Sequence, residues 1–282
     1  MNDEAHPVAQ AIFISTNHEV RERGRSEDFD PAWLAEAERI CRGFGTPIPG
    51  VACPLAIFAQ PFSSRHVAVV QVADLPGMGL GFRFIILPRR LYTNLIADPF
   101  RVADYFPPTW DRSGTLPTLA WPNQPPPRRT IEQLQHVLQT GGSPTLLGAV
   151  QGLVDGGRLL FERAAPATQL VRDLWQLLPT SAQAELWPTT FAFGNDLMFD
   201  ILVIPKAEGL KLDRYITEEQ ALDYPERRYE FSLQYAVEHG DQRELDALLS
   251  RRSSKQMLRL ALFILIGGVL AYIGINMLLR FL

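Results

Sequence analysis

Phe82-Arg83-Phe84-Ile85-Ile86-Leu87 is the stretch on which the fold class turns. It is a short aromatic and β-branched run that follows a glycine-rich loop, Leu75-Pro76-Gly77-Met78-Gly79-Leu80-Gly81, so it reads as a strand. Upstream, His66 to Ala73, Leu55 to Gln60 and Ala9 to Ser15 read the same way. Between the first two of these strands in chain order lies one helix signal. Asp30-Pro31 offers an N-cap followed by proline at the first helical position. The helix runs to Arg42 with Trp33, Leu34, Ala37, Ile40 and Cys41 on its inner side, and Gly43 or Gly45 ends it. The charged stretch Glu19 to Asp28 reads as a loop, and Arg89 to Ile96 as a short helix. Strands and helices mixed without regular βαβ alternation predict the α+β class.

Working outward, seven prolines fall between Pro107 and Pro127, interleaved with Trp110 and Trp121. Proline propagates neither a helix nor a central strand, so this segment marks a boundary, and its tryptophans imply a linker strapped to a surface. From Thr130 the pattern turns helical, with stripes at Ile131, Leu134, Val137, Leu138 and at Leu146, Leu147, Val150, Leu153. A strand at Arg158 to Glu162, a helix from Ala167 to Leu178 and a hairpin follow. The hairpin joins Thr189–Phe193 to Phe199–Ile204 through Gly194-Asn195-Asp196. Glu226 to His239 and the residues from Asp241 to Leu249 read as a helical hairpin with Gly240 at its turn. The expected organisation is therefore an N-terminal α+β domain (8–122) and a second α+β unit (123–206), then a helical hairpin or stalk (207–255) and a transmembrane helix (257–280).

The last of these rests on Leu260 to Leu279, twenty uncharged residues of which twelve are Leu, Ile, Phe or Val. A helix of that length spans ~30 Å, the hydrocarbon thickness of a bilayer. Arg251, Arg252, Lys255 and Arg259 crowd its N-terminal edge, against Arg280 alone beyond it. Positive flanks stay cytoplasmic, which predicts a tail-anchored, single-pass protein of the inner (plasma) membrane with its folded body in the cytoplasm. The acidic opening, Met1-Asn2-Asp3-Glu4, has no apolar run of the signal-peptide kind. Gly267, Ala271 and Gly274 share one helix face, which suits close approach of two spanning helices and hence a homo-oligomer.

Composition excludes some chemistry. The formal net charge of −4 argues against a nucleic-acid partner, and the basic flank fits anionic headgroups instead. Two cysteines, Cys41 and Cys53, cannot build a zinc site alone, and the five histidines lack metal-ligand spacing, so no metal or other cofactor is expected. No Gly-x-Ser-x-Gly elbow presents a nucleophile, and no catalytic residue is assigned. The glycine loop is followed by a strand rather than by Lys-Ser/Thr and a helix, so it is not a P-loop. If it binds a ligand, the residues are Gly77, Gly79, Gly81 and Arg83, through backbone amides and one guanidinium. Asp196 and Asp200 read as turn residues rather than paired catalytic carboxylates.

Several runs together resemble the N-terminal and middle domains of bacterial GTPase-associated adaptor proteins, and also membrane proteins of planctomycete-type bacteria. They are Asp98-Pro99-Phe100-Arg101-Val102-Ala103-Asp104, Pro107-Pro108-Thr109-Trp110, Thr118-Leu119-Ala120-Trp121-Pro122, Leu147-Gly148-Ala149-Val150-Gln151 and Phe191-Ala192-Phe193-Gly194-Asn195. The similarity covers about residues 8 to 206 and implies no catalytic residues. The adaptors are longer and soluble, and the apolar tail departs from them. The resemblance implies a cytoplasmic protein partner, a GTPase or ATPase. The expectation is a membrane adaptor rather than an enzyme. The alternative is a membrane-bound enzyme with a site near Gly77 to Arg83.

Overall fold

The computed structural model describes residues 5–16, 19–140, 142–208 and 214–250. The chain is α+β, with ten strands, β1 to β10, and ten helices, α1 to α10, among those residues. β1 (His6–Ser15), β2 (Val20–Ser26), β3 (Ala56–Phe62), β4 (His66–Leu75) and β5 (Gly79–Pro88) build the first sheet together with two short strands, β6 (Gly114–Leu116) and β7 (Leu119–Trp121). Its order is β3-β4-β5-β1-β2-β6, and β7 pairs with the opening residues of β1. All pairs are antiparallel except β2 with β6, so the sheet is mixed.

The expected strands are therefore present, each somewhat longer than its apolar run. The charged stretch expected as a loop is different: Val20 to Ser26 pairs antiparallel with β1 as β2. Its outward side chains pair with one another, Arg25 with Glu22 at 3.3 Å, and a strand near a sheet edge carries such charges on its solvent face. The proline-rich segment is strapped down as expected, and it supplies β6 and β7. Both are short and lie at sheet margins, where proline's missing N–H costs no ladder bond.

Period-2 alternation gives the sheet two unlike faces. One carries Phe13, Phe58, Phe82 and Phe84, covered by α1 (Leu34–Gly43) and by Phe44 at its end. Phe44 stacks on Phe58 at 5.7 Å and meets the edge of Phe82 at 5.5 Å. Asp30 caps the preceding 3-10 turn by accepting from Ala32 N. The other face carries Gln10, Gln71 and Arg83 among aliphatic neighbours, with Arg83 directly opposite Gln71. It is covered by α3 (Pro99–Tyr105), which follows the helical turn α2 (Arg89–Leu91) and a π turn at Tyr92–Ile96.

β8 (Arg158–Glu162), β9 (Ile201–Ile204) and β10 (Tyr215–Thr217) form a second, parallel sheet in the order β10-β8-β9. Parallel neighbours need a crossover, here α6 (Thr168–Leu177) and α7 (Thr180–Gln183). The expected hairpin over Thr189–Ile204 does not form. Pro188 bridges Ile201 in parallel, while Thr189 bridges Phe58 antiparallel. Thr190 N donates to Ile57 O (2.9 Å) and Ala59 N to Pro188 O (3.2 Å), while Thr189 N donates to Ile201 O (2.8 Å). The outer edge of β3 would otherwise leave buried amides unpaired, and segment 188–192 satisfies them while reaching back to β9. Through this seam the two sheets share one continuous hydrophobic core.

α4 (Ile131–Thr140), α5 (Ser143–Val154), α8 (Glu218–Leu222), α9 (Arg228–Glu238) and α10 (Gln242–Leu249) complete the body. β10 and α8, in the segment that reads as part of the hairpin, return to the second sheet. The helical hairpin itself is α9 and α10, with Asp241 capping α10 and Gly240 at the turn. It lies against the body: Tyr229 Oη donates to Leu177 O at 2.6 Å and Gln135 Nε2 to Val237 O at 3.0 Å. Among the described residues no helix is long and apolar enough to cross a membrane. The run 260–279, its basic flank Arg251, Arg252, Lys255, Arg259 and the small face Gly267, Ala271, Gly274 lie outside the described residues.

Candidate functional site

The glycine loop is the tight turn between β4 and β5, closed by Met78 N donating to Leu75 O at 2.9 Å. Gly79 has φ +100, and a Cβ there would lie 2.4 Å from Ser15 O, so the close approach of β1 demands glycine. Gly77 sits at the open tip, and Gly81 is already in β5 against Leu75 and Trp110. Arg83 lies further along, 4% exposed, on the face under α3. Its guanidinium donates to Gln10 Oε1 (2.9 and 3.2 Å), Gln71 Oε1 (3.4 Å), Phe106 O (3.1 Å) and Pro107 O. Burial pulls its pKa down to about 10, with Arg112 adding to the effect. The four residues are thus not brought together as an anion cradle. Arg83 instead serves the carbonyls at the end of α3, where a cation complements the helix dipole.

Asp200, the second turn carboxylate, accepts from Trp187 N (2.9 Å) and pairs with Arg158 (3.3 Å). Asp196 is exposed.

A cleft of about 380 Å³ opens elsewhere, where the N-terminus of α3, the proline segment and the helices α4 and α6 meet. Its floor is apolar: Ile96, Phe100, Val137 and Trp175. Trp175 Nε1 donates to Ala97 O (2.9 Å) and its ring meets the edge of Phe100 at 6.2 Å, so α6 is fixed to the turn that starts α3. Ala97 holds that turn in the left-handed region, φ 44, and Asp98 caps α3 by accepting from Phe100 N (2.8 Å) and Arg101 N (3.1 Å).

Four arginines line the walls: Arg101, Arg128, Arg129 and Arg172. Arg172 forks onto Asp104 (2.7 and 2.6 Å), and Arg128 forks onto Asp246. The other two meet neutral oxygens. Arg129 donates to Gln176 O (2.8 Å), Leu178 O (2.5 Å) and Thr180 Oγ1 (2.9 Å), closing the C-terminal end of α6. Arg101 reaches Leu95 O and Pro125 O at 3.4 Å and lies 5.3 Å over the Trp121 ring. Burial lowers the Arg129 pKa, as expected of a cation removed from water and partnered by carbonyls. Burial also raises the pKa of Asp98 and of Asp173, which accepts from Gln169 Nε2 at 2.7 Å.

No family model matches this chain, and no curated protein matches it either.

Chemically, the cleft offers guanidinium donors around an apolar floor, a combination that holds an acidic group carrying an apolar neighbour. The hydroxyl in its wall, Thr180 Oγ1, is engaged by Arg129. The sequence singles out Arg83 beside the glycine loop and not these arginines. Arg128-Arg129 directly after Pro125-Pro126-Pro127 was the available signal: a rigid strap delivers two cations to a helix start.

Asp173 gives a pH test of this geometry. Its pKa in the folded state lies above the unfolded value of 3.8, so the folded state holds this proton to higher pH. Stability is then greatest below the unfolded pKa and falls as pH rises through the folded pKa. Asp173→Asn keeps an acceptor for Gln169 and removes the buried charge. The variant should unfold at a higher urea midpoint than the parent at about pH 7 and show no gain near about pH 3. Equal gains at both pH values would contradict it.

Proposed function

We propose that this chain is a membrane-tethered adaptor whose cytoplasmic α+β body receives an acidic segment of a protein partner in the arginine-lined cleft. The observation that carries the partner half is the pair Arg101 and Arg129. Both face the cleft with neutral oxygens as their hydrogen-bond partners, and the nearby Asp98 carboxyl is committed to capping α3, so an incoming carboxylate finds guanidinium donors not held in an ion pair. The membrane half is supported by the apolar run 260–279, read as a transmembrane helix, and by its basic flank, which favours a cytoplasmic body. The resemblance to GTPase-associated adaptors makes a GTPase or ATPase the partner class to test first.

A photoreactive residue replacing Gln133, an exposed lining position, should capture one discrete protein in cells expressing the full chain. Arg101→Glu should abolish that capture, because it turns attraction for an acidic segment into repulsion. Capture that persists in Arg101→Glu would sink the cleft as the docking site. Removing residues 260–279 should release the chain from the membrane fraction, and a chain that stays there would refute the tether.

A further inference from the structure

α9 is apolar on two sides. Tyr229, Leu233, Ala236 and Val237 are buried against the body. The opposite side carries a row of rings at i, i+4 and i+8: Phe231, Tyr235 and His239. Phe231 is 66% exposed and Tyr235 44%. The row is ordered. Phe231 and Tyr235 stack at 6.4 Å between centroids with 24° between planes, and Tyr235 and His239 at 4.0 Å with 25°. Single exposed aromatics are ordinary, whereas a contiguous ladder of them marks a surface that meets something.

The chain itself indicates what that is. Asp241 opens α10 immediately after Gly240 (φ +67), and α10 folds back along α9. The end of α10 at Leu249 therefore points back toward the first turns of α9. Ten residues, 250 to 259, separate that point from the apolar run, and they include Arg251, Arg252, Lys255 and Arg259. Ten residues reach ~15 Å as a helix and at most ~35 Å fully extended. α9 is itself ~16 Å long. A span entering the bilayer at Leu260 thus holds the ladder within one or two helix lengths of the lipid surface, at an effective concentration that makes a weak contact count. Charge agrees: Arg228 is exposed at the N-terminal end of the ladder, next to Arg227, which pairs with Asp155 at 3.4 Å. Tyrosine and histidine rings have the apolar body and polar rim that headgroup regions accommodate.

We propose that the open face of α9, with Phe231, Tyr235 and His239 in line with Arg228, docks on the anionic surface of the bilayer and fixes how the body is oriented on the membrane. This rests on the tether proposed above. The test uses the full chain reconstituted in vesicles of phosphatidylcholine with and without phosphatidylserine. An environment-sensitive fluorophore is placed at Gln234→Cys, beside the ladder, or at Met78→Cys on the distant β4–β5 turn. The native thiols of Cys41 and Cys53 are buried, and burial raises their pKa, so they escape labelling.

Lipids carrying a shallow nitroxide should quench the label at Gln234→Cys, more strongly with phosphatidylserine, and leave Met78→Cys bright. Phe231→Ser with Tyr235→Ser changes only exposed rings and should abolish the quenching while the chain still floats with the vesicles. A floating chain whose Gln234→Cys label is not quenched overturns the docking and leaves the tether standing. So does quenching that survives the double substitution, or a label shielded only when energy transfer reports a second copy beside it. A chain that does not float with vesicles overturns the tether and the docking together.

Discussion

Arg83→Ala should cost the folded chain on the order of 3 kcal/mol, because it removes one donor shared by several buried neutral acceptors. The substitution leaves Gln10 Oε1 and Pro107 O without their donor, and Phe106 O with Gln71 Nε2 alone (2.9 Å), in a space that is 4% exposed at Arg83. Each buried acceptor left unpaired costs about 1–3 kcal/mol, partly relieved where water can enter the vacated volume. Against a domain stability of about 5–15 kcal/mol this is a large fraction, so the urea midpoint of the full chain in detergent should fall steeply. Arg83→Lys should lie between: it keeps the charge, but a single ammonium cannot fork to Gln10 on one side and the α3 carbonyls on the other. The measurement also decides what Arg83 is for. A residue held to bind an external anion would leave the midpoint unmoved when truncated, and an unmoved midpoint would refute the structural role argued above.

That residue also shows what was and was not legible in the sequence. Phe82-Arg83-Phe84 announces a strand, and the strand is there, because period-2 alternation with aromatic neighbours depends only on local pattern. What Arg83 does depends on Gln71, twelve residues back, and on Pro107, twenty-four residues on, whose proximity is set by strand register and the path of α3. No spacing rule carries that information. Segment 188–192 failed for the same reason. Its turn residues suggest a hairpin, yet the deciding partner is the open edge of β3 at Ile57 and Ala59, more than a hundred residues earlier. Val20 to Ser26 failed differently. Charge density marks solvent exposure, and an edge-side strand is as exposed on one face as a loop. The cleft was hidden on both counts, since it exists only between α3, α4 and α6 and is lined by charged residues that resemble ordinary surface.

Gly45→Ala should be the other severe substitution, and Gly50→Ala supplies its control. Both glycines have positive φ, +97 at Gly45 and +81 at Gly50. An L-residue in that region costs about 1–2 kcal/mol from its own Cβ, and this much should appear at either position. Gly50 has nothing within 4 Å of an added Cβ, so the backbone cost is the whole effect there. At Gly45 the Cβ would stand 2.4 Å from Gly194 N and 2.5 Å from Phe193 C, contacts with main chain that no rotamer change relieves. The clash falls on the joint where the end of α1 meets the loop leading to β9. Phe44 O accepts there from Phe193 N (2.9 Å) and Gly194 N (3.1 Å), and Phe44 packs on Phe58, Phe82 and Phe193. Forcing the two segments apart strips both hydrogen bonds from a buried carbonyl and loosens the aromatic cluster. The total should reach about 3–5 kcal/mol, the range reserved for core disruption. Thermal unfolding of the two variants should therefore separate: a small drop in midpoint for Gly50→Ala, and for Gly45→Ala a drop at least twice as large. Equal shifts would mean that α1 and the 193–194 loop yield to each other freely, and that the joint between the aromatic face and the second sheet is not a rigid part of the fold.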